Sequence, residues 1–173
     1  MIKISLIKKK LSSIIEKNSF IEKKFQLKKN SIEKLTGIKK RYISSKNQSS
    51  EKHAISVCKK ISKSEILSLS HIISVTNTPS IKFPGIANFI ASEFNLEKVH
   101  CININSGCTG YVDAISLAYD IINSNKKSKV LIVTSDTYSK FINPNNRSIR
   151  PLFSDGATAS IITYSKKGFK SIE

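Results

Sequence analysis

The stretch Val130-Leu131-Ile132-Val133 constrains the fold more than any other part of the sequence. A strand that shows one face to water alternates apolar with polar residues. This run does not alternate, so it needs cover on both faces. Its surroundings supply the cover. Ser50–Ile61 reads as a helix, with Ser50 able to cap it and Ala54, Val57, Cys58 and Ile61 along one side. Leu69–Thr76 is rich in β-branched residues and reads as a strand, broken by Asn77-Thr78-Pro79. Pro84 suits a first helical turn, Ile86, Ala87, Ile90 and Phe94 repeat at helical spacing, and Asn95 can end the element. Val99–Asn105 reads as a strand, and Cys108–Asn123 as a helix with a stripe of Tyr111, Val112, Ile115, Ala118, Tyr119 and Ile122. Lys129–Thr134 is the covered strand, Ser135–Pro151 a loop, and Ala157–Thr163 a final strand. Strands and helices alternate from residue 50 onward, which gives an α/β class with a mixed, mainly parallel sheet covered by helices.

The first third reads differently. Met1–Ile7 is a candidate strand. Lys8–Lys34 is lysine-rich with a weak helical pattern at Leu11, Ile14, Ile15 and Phe20; Gly37 interrupts it, and Lys39–Ser45 reads as a turn or short extended piece. Residues 1–63 hold 17 Lys and one Arg against four Glu, so this third carries nearly all of the formal net charge of +17. Arg, which reads base edges, occurs only at positions 41, 147 and 150, and the basic third has only Phe20, Phe25 and Tyr42 for stacking on bases. A solvated lysine surface is the first reading, an acidic protein partner the second and nucleic acid the third. No stretch approaches 18 consecutive apolar residues, so no membrane span is expected, and Met1–Lys10 lacks the apolar core of a secretory signal.

Cys58, Cys101 and Cys108 form an odd set with no CxxC, which suggests free thiols in a reducing, cytoplasmic compartment. His53, His71 and His100 are scattered and lack ligand spacing, so neither a metal nor a cofactor is expected. The chemistry concentrates in Ile102-Asn103-Ile104-Asn105-Ser106-Gly107-Cys108-Thr109-Gly110: a strand, a turn with two glycines, then a long helix. Such a turn lifts one side chain out of the sheet onto a helix N-terminus, where the dipole and free N–H groups favour an anion. For Cys108 that favours the thiolate, the form a nucleophile needs. Cys58 on a helix face and Cys101 inside a strand read instead as small buried hydrophobes. Thioester chemistry also needs a proton-handling group and oxyanion donors. His100 is eight positions before Cys108, on the order of 20 Å away along an extended strand. The sequence supplies a nucleophile without an evident base.

Three blocks resemble the N-terminal half of 3-oxoacyl-acyl-carrier-protein synthase III, a condensing enzyme of the thiolase-like superfamily. They are Thr36-Gly37-Ile38-Lys39-Lys40-Arg41, Ser106-Gly107-Cys108-Thr109-Gly110, and the segment from Val133 through Ser135-Asp136 and Arg147 to Phe153-Ser154-Asp155-Gly156-Ala157. Their order and spacing match over about residues 30–173. The resemblance implies a thiolase-like N-terminal half-domain over 31–173, which leaves 1–30 as a Lys-rich N-terminal segment. It implies that Cys108 takes an acyl group from a thioester of acyl carrier protein or coenzyme A, and that the acyl-enzyme then condenses with malonyl carrier protein as carbon dioxide leaves. Phe83 matches a position that closes the neighbouring subunit's acyl pocket, which implies a homodimer; Arg147 matches one near the coenzyme A site. Gly107 and Gly110 shape the turn, and Asp155 and Gly156 match a buried hydrogen-bonded Asp and a tight turn. Ser31 and Leu35 stand where the family grips the nucleotide with an aromatic and a basic residue, which favours a carrier-protein-bound donor. Ser154 replaces a family Gly, and residues 1–30 lack the family's glycine-containing first strand. The family's catalytic His and Asn, and one oxyanion donor, lie in a second half of similar size. A complementary half is therefore an implied partner, and a noncatalytic interaction protein of the same fold is the alternative.

Overall fold

The computed structural model describes residues 1–168. The last five residues of the expected 31–173 half-domain lie outside them. In chain order the elements are β1 (Ile2–Leu11), β2 (Ile14–Lys17), α1 (Asn18–Lys24), α2 (Ser31–Thr36), β3 (Lys40–Ile43), α3 (Ser50–Cys58), α4 (Lys63–Leu67), β4 (His71–Val75), α5 (Ile86–Glu93), β5 (His100–Ile104), α6 (Gly110–Ser124), β6 (Lys129–Asp136) and β7 (Gly156–Tyr164).

Five strands form one sheet in the order β1-β7-β6-β4-β5. β6, β4 and β5 run parallel, whereas β7 joins β6, and β1 joins β7, antiparallel. The sheet is mixed, as expected, with its parallel ladders confined to the β6-β4-β5 side. The uninterrupted apolar run lies on β6, and both of its faces are covered. Leu131 and Val133 face a core built with Ala54, Val57 and Cys58 of α3 and Ile86, Ala87 and Ile90 of α5. Val130 and Ile132 face Ala114, Ala118 and Ile122 of α6. The result is helix, sheet, helix.

The expected stripe on α6 packs on the sheet at Tyr111, Ile115, Ala118, Tyr119 and Ile122 but not at Val112. The fully covered residues of α6 are Gly110, Ala114, Ala118 and Ile122, steps of four, while Val112 is exposed. Small residues occupy the seam because they let the helix approach the sheet closely.

The expected helical pattern over Lys8–Lys34 is corrected. β1 continues to Leu11 along the whole of β7, and β2 pairs with β3, Ile14 opposite Ile43 and Lys17 opposite Lys40. Only α1 and α2 are helical there. The β-branched pair Ile14-Ile15 sits better in a ladder than in a helix. The cap of α3 also moves: the Ser49 side chain accepts from Lys52 N–H, and Ser50 is buried, donating to Thr78 O at 2.7 Å. Pro84 lies ahead of α5, which begins after Gly85. Among the described residues no helix is long and apolar enough to cross a membrane.

Candidate active site

The C-terminal ends of the three parallel strands converge, the usual place for a site in an open α/β sheet. After β4 comes Thr76-Asn77-Thr78, after β5 comes Asn105–Thr109, and β6 ends in Asp136 ahead of Thr137-Tyr138. Gly107, Cys108 and Thr109 form one 3₁₀ turn continuous with α6, so the helix itself begins two residues later than expected. Gly107 has φ +56°, the left-handed region where glycine carries no Cβ penalty. At Gly110 an added Cβ would lie 2.5 Å from Val75 Cγ1, so only glycine lets α6 start this close to the end of β4. Cys108 is exposed at this turn. The other two thiols are not comparable: burial pushes the Cys58 thiol up to about 12 and also raises that of Cys101.

Around Cys108 the structure assembles residues to which the sequence assigned no role at the site. Asn77 Oδ1 accepts from Gly107 N–H at 3.0 Å, and Asn77 Nδ2 donates to Gly107 O at 3.5 Å. One carboxylate oxygen, Asp136 Oδ1, accepts from Asn77 N at 2.8 Å, Thr78 N at 3.0 Å, Thr78 Oγ1 at 2.8 Å and Thr76 Oγ1 at 3.1 Å. The Tyr138 ring lies tilted against Phe153, centroids 4.6 Å apart. Its phenol is pushed above the ordinary range by burial first, then by Asp136, with the neighbouring Cys108 adding to the push and a bond to Asn77 opposing it. A cavity of about 420 Å³ opens beside the turn, lined by Asn77, Pro79, Gly85, Asn103, Asn105 and Phe141 among others.

None of the three histidines joins Cys108. His71 and His100 begin β4 and β5, at the opposite end of the sheet, and stack with centroids 4.9 Å apart. Burial first, and then His100, hold His71 below its ordinary value. His53 is buried on α3, its Nε2 within 2.8 Å of Ser44 Oγ and 3.0 Å of Ser12 Oγ. Among the described residues, then, no histidine is brought to Cys108. Nor do three His, Cys, Asp or Glu side chains cluster among them as a metal site would need.

Phe83 is 87% exposed, at a cis Phe83–Pro84 bond in the loop before α5. Asn103 fixes that loop: its Nδ2 donates to Pro84 O at 3.3 Å and its Oδ1 accepts from Ala87 N at 2.9 Å. Arg147 is exposed and shares the wall of a second cavity, about 560 Å³, with Ser31, Leu35, Thr36 and Leu152. Asp155 is buried and accepts from Ser44 N at 2.7 Å and Ser139 N at 2.9 Å. Gly156 lies in the ladder with β1, where an added Cβ would stand 2.8 Å from Lys10 O. The fully buried Arg41 donates to Glu16 at 3.1 Å, to Asn18 Oδ1 at 2.9 Å and to Pro151 O at 3.0 Å, and Arg150 meets the other Glu16 oxygen at 2.7 Å.

The chain is similar to known proteins in sequence and in fold. The profile of the family 3-Oxoacyl-[acyl-carrier-protein (ACP)] synthase III matches residues 102–173. A β-ketoacyl-[acyl-carrier-protein] synthase III 2 of Staphylococcus epidermidis is 36% identical over 92 residues, 53% of this chain and 28% of that protein. The solved β-ketoacyl-[acyl-carrier-protein] synthase III of Thermus thermophilus superposes over 96% of this chain and 52% of its own, with a TM-score of 0.88 at 24% identity. The 3-oxoacyl-[acyl-carrier-protein] synthase III of Aquifex aeolicus does so over 96% and 55%, with a TM-score of 0.83 at 27% identity. The chain thus spans about half the length of these solved relatives. In sequence over residues 102–173 and in fold along nearly its whole length, the chain is similar to 3-oxoacyl-acyl-carrier-protein synthase III, of whose solved members it spans about half.

Proposed function

We propose that this chain is the acyl-accepting half of a condensing enzyme, with Cys108 as the nucleophile. The observation that carries this reading is the exposed Cys108 on a 3₁₀ turn that opens α6, at the C-terminal end of a parallel strand. As thiolate, Cys108 Sγ attacks the carbonyl carbon of an acyl thioester. The bond from that carbon to the carrier sulfur breaks, and the carrier leaves as a thiol after taking up a proton. Malonyl carrier protein then loses carbon dioxide, its carbanion attacks the acyl carbon, and the Cys108–acyl bond breaks as the 3-oxoacyl thioester forms. This second step needs a proton-holding group and donors for the developing oxyanion. The described residues bring no histidine to Cys108, so those groups are assigned to a complementary half-fold. We also assign the acyl donor to a carrier protein rather than free coenzyme A: the cavity that Arg147 lines with Lys28, Ser31 and Leu35 has no aromatic ring to stack on a nucleotide base. A homodimer is proposed through the edge of β5, with Phe83 exposed beside it, and three free thiols favour a cytoplasmic setting.

The test is incubation with acyl carrier-protein thioesters and intact mass measurement. One acyl adduct on the wild type, absent from Cys108→Ala, supports the reading; no adduct, or one that survives Cys108→Ala, overturns it. The absence of a histidine near Cys108 favours a second reading, a noncatalytic partner subunit. Under that reading no adduct forms even when the complementary half is supplied.

A further inference from the structure

We infer that Asn77 and Asp136 are positioning residues for Cys108, acting as a two-stage clasp; the inference rests on the acyl-transfer reading above. Cys108 sits on an exposed turn whose first residue, Gly107, occupies the left-handed region and has nothing within 4 Å of where a Cβ would stand. Packing does not hold such a turn; hydrogen bonds must. The turn's local bonds include Thr109 N–H to Ser106 O at 3.3 Å, Thr109 Oγ1 to Ser106 O at 2.9 Å and to Asp113 Oδ2 at 3.2 Å, and Gly110 N–H to Gly107 O, all within the turn and the start of α6. The bond that ties it to the rest of the molecule is Gly107 N–H to Asn77 Oδ1 at 3.0 Å, with Asn77 Nδ2 reaching Gly107 O at 3.5 Å. An Asn is suited to this place. It accepts from an amide N–H and donates to a carbonyl of the same residue, whereas Asp accepts but does not donate and adds a negative charge beside the thiolate.

Asn77 is itself on a loop after β4, and a clasp is only as rigid as its anchor. Asp136, at the end of the neighbouring parallel strand β6, supplies the anchor. Its Oδ1 gathers the backbone N–H groups of Asn77 and Thr78 and the hydroxyls of Thr76 and Thr78, all between 2.8 and 3.1 Å. Four donors converging on one carboxylate oxygen fix the 76–78 backbone and with it the direction of the Asn77 side chain. The chain of support therefore runs from β6 through the 76–78 turn to the nucleophile on the third strand. It ties the three strand ends into one rigid unit at the point where an incoming carbonyl carbon must meet Sγ.

The experiment compares wild type, Asn77→Ala, Asn77→Asp, Asp136→Ala and Asp136→Asn in the full chain. It takes three readouts: acylation rate by intact mass, iodoacetamide alkylation rate, and hydrogen exchange at Gly107, with thermal melts alongside. Acylation needs Sγ aimed at a bound carbonyl, whereas iodoacetamide collides from any direction. Asn77→Ala and Asp136→Ala are expected to lose roughly 10- to 100-fold in acylation rate while alkylation changes little, and to exchange Gly107 faster. Asp136→Asn keeps the acceptor oxygen and is expected to recover most of the loss. Asn77→Asp keeps the bond from Gly107 N–H but loses the donor to Gly107 O, and is expected to acylate at a rate between those of wild type and Asn77→Ala. Unchanged Gly107 exchange in Asn77→Ala overturns the clasp. Acylation and alkylation falling together in step with the melts, with Asp136→Asn as impaired as Asp136→Ala, reduces both residues to structural roles and overturns positioning. A wild type that takes no acyl group, with Gly107 exchange still faster in Asn77→Ala, overturns the acyl-transfer reading and the positioning role but not the clasp.

Discussion

At the scale of single residues, geometry separates what the sequence announces from what it hides. Cys108 is legible because two glycines and a helix start surround it within the same nine residues. Asn77 and Asp136 are not, because their partners lie 30 and about 60 positions away and meet only when β4, β5 and β6 align. Gly110 can be tested on its own. Alanine raises helix propensity by up to about 1 kcal/mol, but its Cβ would stand 2.5 Å from Val75 Cγ1, a β-branched side chain on the core strand β4. Overpacking of this kind costs about 1–3 kcal/mol, so the clash outweighs the propensity gain. Gly110→Ala is expected to lower the urea midpoint with an unchanged m-value. Adding Val75→Ala should restore part of the loss, a coupling that independent sites do not show. A melt of Gly110→Ala above that of wild type would contradict the close approach of α6 to β4.

At the scale of elements, alternation is readable from residue 50 onward because each helix and strand there has one apolar period. The region 8–34 is not, because β1 has a bulge between Ile4 and Leu6 that moves Leu6 to the α3 face while Ile2 and Ile4 face α6, and Lys8 and Lys10 then fill the apolar side of the pattern. What anchors the β2–β3 hairpin is also hidden. Arg41 is fully buried, and its partners come from two distant segments, Glu16 and Asn18 at the β2–α1 junction and Pro151 far along the chain. Removing one partner of a buried ion pair costs about 3–5 kcal/mol because the other charge remains buried. Arg41→Ala should therefore unfold at much lower denaturant than wild type, whereas Lys17→Ala, on an exposed position of the same hairpin, should lie within about 0.5 kcal/mol of it.

Helix α3 carries a second element-scale consequence. Burial, the largest cause, holds His53 below its ordinary value; Lys10 and Lys140 push the same way and Asp155 opposes them. His71 is also lowered, by burial and by His100. A histidine depressed in the folded state binds its proton more readily when unfolded, so stability falls as pH drops through the unfolded value of about 6.5. Denaturation free energies are expected to be lower at pH 5 than at pH 7.5, and His53→Asn should flatten that slope. An unchanged slope in His53→Asn would assign the pH dependence elsewhere.

At the scale of the whole molecule, the charge of the first third takes on a structural meaning. The sheet has two edges, β1 and β5. β1 carries Lys3, Lys8, Lys9 and Lys10 in ten residues, and lysines on an edge strand discourage a second chain from adding to it. Of the four Glu in residues 1–63, Glu16 is paired with Arg41 and Arg150. Glu22 accepts from Asn30 N and Ile32 N, and Glu51 from Ser80 and Ile81. The lysines at this end therefore stay largely uncompensated. β5 is the opposite case: His100-Cys101-Ile102-Asn103-Ile104 has no Lys, Arg, Asp or Glu. His100 N–H donates to Ser70 O at 3.0 Å and Ile104 O accepts from Thr76 N–H at 3.2 Å, so alternate residues face β4. The backbone N–H groups of Cys101 and Asn103 consequently point to the open side. One edge is guarded and the other is free to pair, which is how a sheet comes to associate through a single side. Cys101→Pro deletes one outward N–H and leaves the β4–β5 ladder intact, a substitution edge strands tolerate. It should shift sedimentation from dimer toward monomer without lowering the melting temperature of the fold by more than a few degrees. Replacing Lys8, Lys9 and Lys10 with Thr should instead add concentration-dependent turbidity that wild type lacks. A wild type that sediments as a monomer, or a Cys101→Pro variant that stays dimeric, would remove β5 as the pairing edge.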